Sequence, residues 1–142
     1  MKPVRLLMLA AIFGTLWILP ADAPAQQKAS DDAPTVNPDF RVDAALAETG
    51  RQLFVRKDCQ GCHTIGRGRA AGPDLSGAAE RRTIDWLKQF LKNTSQMLDA
   101  DPIAQAMLRD HRNFRMPDVP LNDAEIDALI HYIQRTTMQR RQ

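Results

Sequence analysis

Two cysteines and a histidine lie together in the segment Cys59-Gln60-Gly61-Cys62-His63, and the chain contains no other cysteine. Two thiols at this spacing can form a disulfide or a redox-active dithiol, or they can supply two ligands to a zinc site. They can also form thioether bonds to the vinyl groups of a haem, with the following imidazole as the proximal iron ligand. These chemistries make different demands on the rest of the chain.

The remaining sequence favours haem attachment. A thioredoxin-like dithiol is expected in a βαβ context, whereas the periodic segments of this chain are helical. Structural zinc usually takes four Cys or His ligands, and outside the motif the chain offers only His111 and His131. A structural disulfide is possible in an exported protein, but it leaves His63 unexplained. The motif therefore predicts one haem c, attached covalently through Cys59 and Cys62.

The chain is also short of large apolar side chains, since aromatic residues make up 6% of it. Residues 64–82 and 113–121 are long irregular stretches with few apolar groups. Ordering such a stretch costs roughly 1 to 2 kcal/mol of backbone entropy per residue. We therefore expect a bound group to fill the middle of the domain.

Four helices are predicted from hydrophobic periodicity and capping residues. The first follows Asp43 and runs to about Lys57, with Gly50 in its middle, where a glycine could let another helix approach closely. In the last, Asn122 and Glu125 form a capping-box pair. The two helices between them cover Ile84–Lys92, after Thr83, and the segment from Asp101-Pro102 to about His111. The expected fold class is a small all-α domain.

The chain resembles the class I c-type cytochromes from about residue 46 to residue 132. Gly50-Arg51-Gln52-Leu53-Phe54 is similar to that family's first helix, and Tyr132 to the aromatic residue of its last helix. Gly72-Pro73-Asp74-Leu75 resembles the loop whose proline carbonyl accepts a hydrogen bond from the proximal histidine. The resemblance implies the class I cytochrome c fold, with about four helices around one haem. It also implies that Pro73 orients His63, the proximal ligand.

The second axial ligand of the iron must come from a small set of side chains. Outside the N-terminal segment the candidates are Met97, Met107, Met116, Met138, His111 and His131. Met107 lies on a predicted helix, where a methionine is more often core than ligand, while Met97 near a helix end stays a candidate. Met116, followed by Pro117, is similar to the family's Met-Pro ligand loop. We expect iron ligation by His63 and Met116.

A long segment separates Pro73 from Met116, and we expect it to cover the propionate side of the haem. Within it, Trp86 could pack on the haem, donate its N–H to a propionate, or be an ordinary core residue. Four arginines flank the haem-motif loop and could steer an acidic partner, or simply form a solvated run of charge. These are Arg67, Arg69, Arg81 and Arg82.

Residues 1–25 have the three-part layout of a secretory signal peptide. Lys2 and Arg5 precede the uncharged apolar segment 6–19, and small residues follow it up to Ala25, after which we expect cleavage. The apolar segment is shorter than the roughly 17 to 25 residues of a membrane-spanning helix, although an uncleaved anchor remains the alternative. Residues 26–42 are predicted to form a flexible leader, and residues 43–142 the cytochrome c domain.

Length and charge narrow the function further. The 142 residues are 44% hydrophobic and 25% charged, as expected for one globular domain. A net charge of +2 is too small to indicate a nucleic-acid-binding protein.

An iron with both His and Met bound has no open position for a substrate, so we expect an electron-transfer protein rather than an enzyme. The expected function is that of an exported, monomeric, monohaem cytochrome. It would carry single electrons in a respiratory chain in the periplasm, without a membrane span after signal cleavage. Its partners would be respiratory complexes, a dehydrogenase or a terminal reductase. Two alternatives remain: a haem enzyme or gas sensor with a labile sixth ligand, and a haem-bearing subunit of a larger oxidoreductase.

Overall fold

The structure is a computed structural model that describes Asn37 and residues 39–142. In this part of the chain every regular element is helical, which confirms the all-α fold class. The elements are α1 (Ala44–Arg56), a 3₁₀ turn (Cys59–Gly61), α2 (Ala78–Arg81), α3 (Ile84–Lys92), α4 (Thr94–Ala100), α5 (Pro102–Asp110) and α6 (Asp123–Gln139).

The described residues form six α-helices, two more than the sequence predicts. The additional helices are short: α2 has four residues and α4 has seven. Neither has a side-chain hydrogen bond at its N-cap: Gly77 before α2 has no side chain, and the amide of Asn93 before α4 donates to Gln89 at 3.2 Å. The capping contacts that mark the other helices are therefore missing at both.

The four predicted helices begin where their capping residues indicate. The carboxylate of Asp43 accepts hydrogen bonds from two N–H groups of the first turn of α1, and the hydroxyl of Thr83 accepts one from α3. Asp101 caps α5 in the same way, and Asn122 and Glu125 form a reciprocal capping box on α6. These side chains satisfy N–H groups that have no partner within the helix.

Helices α1 and α6 cross in very close contact at Gly50. A β-carbon built at this residue would lie 1.9 Å from the carbonyl oxygen of Ala128 and 2.8 Å from Cβ of Tyr132. The expectation that Gly50 permits a close helix approach is therefore confirmed. Next to the crossing, the rings of Phe54 and Tyr132 lie 5.4 Å apart between centroids. The buried cluster around it consists of Leu53, Phe54, Ile65, Ala128 and Leu129.

A second buried cluster lies among α3, α4 and α5. Its buried members are Phe90, Leu98 and Ala104, with Trp86, Met97, Leu108 and Met116 packed against them. The rings of Trp86 and Phe90 are stacked, with centroids 5.2 Å apart and an angle of 11° between their planes. The thioether of Met97 thus contributes to a hydrophobic core.

The segment before α1 makes specific contacts with the domain. The amide of Asn37 donates to the carbonyls of Ala79 at 2.6 Å and Arg82 at 2.9 Å, and its oxygen accepts from the N–H of Ile84 at 3.1 Å. The ring of His131 lies against that of Phe40, tilted by 32° with centroids 4.8 Å apart, and its Nδ1 accepts from the backbone N–H of Asp43. This histidine therefore has a structural role.

The division into a signal peptide over 1–25, a leader over 26–42 and a domain over 43–142 stays a prediction. Residues 1–36 and Pro38 lie outside the described residues, and the expected signal peptide falls entirely among them. Of the helices that the structure describes, none is long and apolar enough to cross a bilayer.

We expect Gly50→Ala to lower the free energy of unfolding by about 1 to 3 kcal/mol, the usual cost of overpacking a buried site. The atom that a new β-carbon would meet is a backbone oxygen, which cannot rotate away. This clash should exceed the gain of about 1 kcal/mol in helix propensity. Urea unfolding of the purified protein measures the change, with Gln52→Ala at an exposed position of α1 as the control. Equal stability of the variant and the wild type would contradict the close contact.

Candidate haem site

One cavity of about 840 Å³ is lined by all five residues that the sequence predicts for the haem site. These residues are Cys59, Cys62, His63, Pro73 and Met116. The rest of the wall is mainly apolar and includes members of both buried clusters, Phe54 and Leu129 from one and Trp86, Phe90 and Leu98 from the other. A volume of this size lies within the roughly 300 to 1,000 Å³ that is usual for small-molecule and cofactor sites.

The motif follows directly from the end of α1. Asp58 adopts the left-handed conformation, with φ of 55°, and turns the chain into the 3₁₀ turn that begins at Cys59. The N–H groups of Cys62 and His63 both donate to the carbonyl of Cys59, at 3.3 and 2.9 Å. Burial raises the pKa of the Cys59 thiol. The motif is therefore a tight, partly buried turn at the cavity wall.

The imidazole of His63 is held by the loop that follows the motif. Its Nδ1 lies 2.9 Å from the carbonyl oxygen of Pro73, the contact that the resemblance implies. Because a carbonyl can only accept, Nδ1 carries the proton and Nε2 keeps a lone pair that can bind a metal. A β-carbon at Gly72 would lie 2.5 Å from Cε1 of this ring. The glycine thus leaves room for the imidazole to reach the carbonyl.

Asp74 holds the same loop in place. Its carboxylate accepts from the N–H groups of Gly66, Gly68 and Ser76, at 2.7, 2.6 and 2.8 Å. Partial burial would raise the pKa of Asp74, but these backbone hydrogen bonds outweigh it and lower the pKa. The sequence places Asp74 in a loop that resembles the family's without indicating this role, although Gly66 and Gly68 are local signals for such a turn.

Among the candidates for the second axial ligand, three line the cavity and three do not. Met116, Met107 and His111 contribute to the wall, whereas the described side chains of Met97, Met138 and His131 lie elsewhere. Nδ1 of His111 accepts a hydrogen bond from Nε of Arg69 at 3.3 Å. That bond favours the tautomer in which Nε2 of His111 carries the proton. The lone pair on Nδ1 is then engaged by Arg69, so neither nitrogen of the ring is free to bind a metal.

Two buried N–H groups at the cavity wall have no partner. Nε1 of Trp86 and Nε of Arg82 are buried and make no hydrogen bond within the part of the chain that is described. Both residues line the cavity, and the guanidinium of Arg82 lies 5.7 Å from the centre of the Trp86 ring. Unpaired buried donors are uncommon because each costs free energy. Both donors are therefore left for an acceptor that the described residues do not supply.

Short contacts on both sides hold α2, the helix that leads to Arg82. The N–H of Gly77, the N-cap of α2, donates to the hydroxyl of Thr137 on α6 at 3.0 Å, and Glu80 accepts from Arg141 at 2.6 and 2.8 Å. The hydrogen bond from Arg141 lowers the pKa of Glu80. Asn37 binds the carbonyl end of the helix from the other side. The backbone that leads into Arg82 is thus held by several contacts.

The four arginines near the motif divide into two pairs. Arg67 and Arg69 are exposed on the loop after the motif, and Arg69 donates to the carbonyl of Asp110 as well as to His111. Arg81 donates to the carbonyl of Ser76 at 2.7 Å, while Arg82 is partly buried at the cavity. Only the first pair can belong to the solvated run of charge that the sequence suggests.

Comparison with known proteins gives the family. Residues 47–137 match the family model for cytochrome c. The chain belongs to the cytochrome c family. The fold and family that the resemblance implies are therefore confirmed at the level of the class I cytochromes c, and membership implies a covalently bound haem c.

Individual relatives of this cytochrome agree with that assignment. It is 34% identical over 95 residues to cytochrome c oxidase subunit 2 of Alkalihalophilus pseudofirmus, a match that covers 63% of this chain but 25% of the relative. The cytochrome thus spans only a quarter of the length of that protein.

Solved structures with the same fold include a cytochrome c from Rhodothermus marinus, 26% identical, with a TM-score of 0.64 over 70% of this chain and 83% of that one. A cytochrome c domain from Pseudomonas putida is 36% identical, with a TM-score of 0.57 over 65% of this chain and 91% of that domain.

The chemistry of the cavity fits a haem c. The group carries two propionates, and carboxylate oxygens are the acceptors that the free N–H groups of Trp86 and Arg82 require. The apolar remainder of the wall matches the porphyrin ring, and Nε2 of His63 keeps a lone pair that is available to a metal. The sequence suggested propionate binding as one of several possible roles for Trp86. It indicated Arg82 only as one of four arginines that could steer an acidic partner or form a solvated run of charge.

Replacing Trp86 with Phe keeps a ring that can stack on Phe90 and removes the indole N–H. If this N–H faces a propionate, the carboxylate loses a donor that favours its ionised form, so its pKa rises. We therefore expect the pH-dependent step of the reduction potential to move to higher pH. Potentiometric titrations over a range of pH measure it. Phe114→Leu, at an exposed residue of the same cavity, should leave the step in place. An unchanged step in Trp86→Phe would show that the indole does not bind a propionate.

Proposed function

We propose that Cys59 and Cys62 attach a single haem c and that His63 and Met116 ligate its iron. The observation that carries this proposal is that all four side chains line one cavity, with the Nδ1 of His63 engaged by the carbonyl of Pro73. That hydrogen bond fixes the ring and raises the basicity of Nε2. Haem c would supply the reversible one-electron change of its iron.

Each residue has a defined task in this arrangement. The two thiols would prevent loss of the group by dilution, which suits a protein that is exported. A thioether from Met116 would fill the last axial position and stabilise the reduced iron more than a harder donor does. Apolar side chains around the cavity would limit the access of water to the porphyrin ring. The chain's residues thus favour electron transfer over substrate activation.

We infer further that the protein is a one-electron carrier of a respiratory chain, exported to the periplasm. The layout of residues 1–25 supports export. The exposed pair Arg67 and Arg69, next to the motif, offers positive charge to an acidic redox partner such as a respiratory complex, dehydrogenase or terminal reductase.

A second candidate function is that of a haem-bearing part of a larger oxidoreductase. The similarity to a cytochrome c oxidase subunit 2 favours it. Both functions use the same site, so purification distinguishes them. A carrier elutes alone from a periplasmic extract, whereas a subunit co-purifies with its enzyme after detergent extraction of membranes.

Met116→Ala tests the axial ligand. We expect the haem to stay attached, the reduction potential to fall and the weak far-red band of iron–thioether bonding to disappear, because the soft donor is lost. The reduced variant should also bind carbon monoxide, which the wild type should not. Met107→Ala is the matched control, since Met107 lines the same cavity from α5. An unchanged potential and band in Met116→Ala would remove this residue as the ligand.

Cys59→Ala tests the attachment. We expect a marked loss of covalently bound haem, because one of the two thioethers can no longer form. Acid–organic extraction followed by haem staining of the denatured protein measures the fraction that remains bound. Gln60→Ala, inside the same motif, should retain it. Wild-type retention in Cys59→Ala would contradict the assigned attachment.

A further inference from the structure

In the described part of the chain, the loop that carries Met116 has no backbone–backbone hydrogen bond. Among the residues that the structure describes, 115–121 neither donate nor accept a backbone–backbone hydrogen bond, and the last one before them joins Phe114 to His111. No helix or strand includes these residues. The position of Met116 therefore depends on packing and on contacts made by side chains.

Most of those side-chain contacts lead to α4, while Lys57, at the end of α1, donates to the carbonyl of Pro120 at 2.8 Å. The carboxylate of Asp118 accepts from the backbone N–H of Ser95 at 2.8 Å and from the hydroxyl of Ser95 at 2.6 Å. On the other side of Met116, Arg115 donates to the carbonyl of Ser95 at 3.3 Å and pairs with Asp99 at 2.9 Å. One helix thus restrains the loop both before and after the methionine.

Helix α4 is itself held in place by buried side chains and by a hydrogen bond to α3. Thr94 and Leu98 are buried, with relative exposures of 1% and 5%. The hydroxyl of Thr94 donates to the carbonyl of Phe90 at 2.9 Å, which links α4 to the end of α3. Met116 packs on the same cluster as Leu98. The loop and its support are therefore joined by apolar packing as well as by hydrogen bonds.

The contacts on the two sides of Met116 differ in strength. The pair of Arg115 and Asp99 is largely exposed, with relative exposures of 45% and 67%, and such surface pairs contribute little. Asp118 is exposed as well, but it receives two donors from a single residue in short, charge-assisted hydrogen bonds, which are the stronger kind. The contact of Ser95 with Asp118 is therefore the stronger of the two contacts with α4.

We propose that Ser95 and Asp118 are positioning residues for Met116, holding its loop so that the thioether stays on the iron. This inference rests on the proposed ligation by Met116. Neither residue touches the haem in this role; both act through the backbone on which Met116 lies. Without the restraint the loop has more conformations to lose on ligation, so the methionine dissociates more often.

The experiment measures how readily an external ligand displaces the methionine. Imidazole is titrated into the oxidised holoprotein, and its apparent affinity is followed in the visible spectrum. Imidazole binds only when the sixth position is free, so its affinity rises with the fraction of open iron. For Asp118→Ala we expect an increase of about tenfold or more, since hydrogen bonds to a charged group are lost. Ser95→Ala, which removes the hydroxyl alone, should give a smaller increase.

Two further variants make the result specific. Asp99→Ala removes the exposed ion pair on the same helix and should leave the imidazole affinity unchanged. In a Met116→Ala background, Asp118→Ala should add nothing, because there is no methionine left to position. Urea unfolding of each variant serves as a separate readout, since a merely structural role would lower stability without changing the affinity. If Asp118→Ala fails to fold, Ser95→Ala decides the question, because it deletes a single hydroxyl.

The possible failures are distinguishable. Wild-type imidazole affinity in Asp118→Ala and Ser95→Ala, together with a large increase in Met116→Ala, would overturn the positioning role and leave the ligation intact. An unchanged affinity in Met116→Ala would overturn the ligation itself. An equal increase for Asp118→Ala with and without Met116 would show that Asp118 acts on the iron by another route.

Discussion

At Gly50 the backbone of α1 lies against the carbonyl of Ala128 on α6, at a separation that leaves no room for a β-carbon. The position of the CxxCH motif depends on this crossing, because Cys59 lies only three residues after the end of α1. Ile65 and Leu75, on the chain that follows the motif, pack into the cluster at the same crossing. Contacts within the protein therefore set the positions of the two sulfur atoms and of His63 relative to α6.

The domain has two small apolar clusters rather than one continuous core. A cavity of about 840 Å³ is lined by residues from both, whereas protein interiors normally contain few voids larger than a water molecule. A haem bound in this cavity would supply the missing contacts, and the apolar side chains of α3, α5 and α6 would pack on it as on a core residue. Covalent attachment would keep the haem in the cavity, and the free energy of unfolding would then include the contacts between haem and protein.

The sequence predicted those features that depend on neighbouring residues. The caps at Asp43, Thr83, Asp101 and Asn122 are local signals, and each starts a helix where expected. The helices α2 and α4 lack such caps and were missed. The CxxCH motif indicated the cofactor for the same local reason, because its three functional side chains lie within five residues.

The remaining parts of the site depend on contacts between distant segments. Nothing in the immediate sequence around Arg82 shows that its guanidinium turns into a cavity beside Trp86. The contact between Ser95 and Asp118 joins residues 23 apart in the chain, and only the fold of α3, α4 and α5 brings them together. Sequence periodicity gives the helices but not the side chains that meet between them.

Asn37 has a practical consequence for the boundary of the domain. Helical periodicity starts the domain at residue 43, yet the amide of Asn37 binds two carbonyls and one N–H at the junction of α2 and α3. A recombinant fragment cut at that start would leave these three backbone groups without their partner, next to Arg82 and close to Trp86. The segment ahead of α1 is thus part of the architecture that shapes the far wall of the cavity. A truncation chosen from helix boundaries would alter the cofactor environment without removing any residue of the cavity.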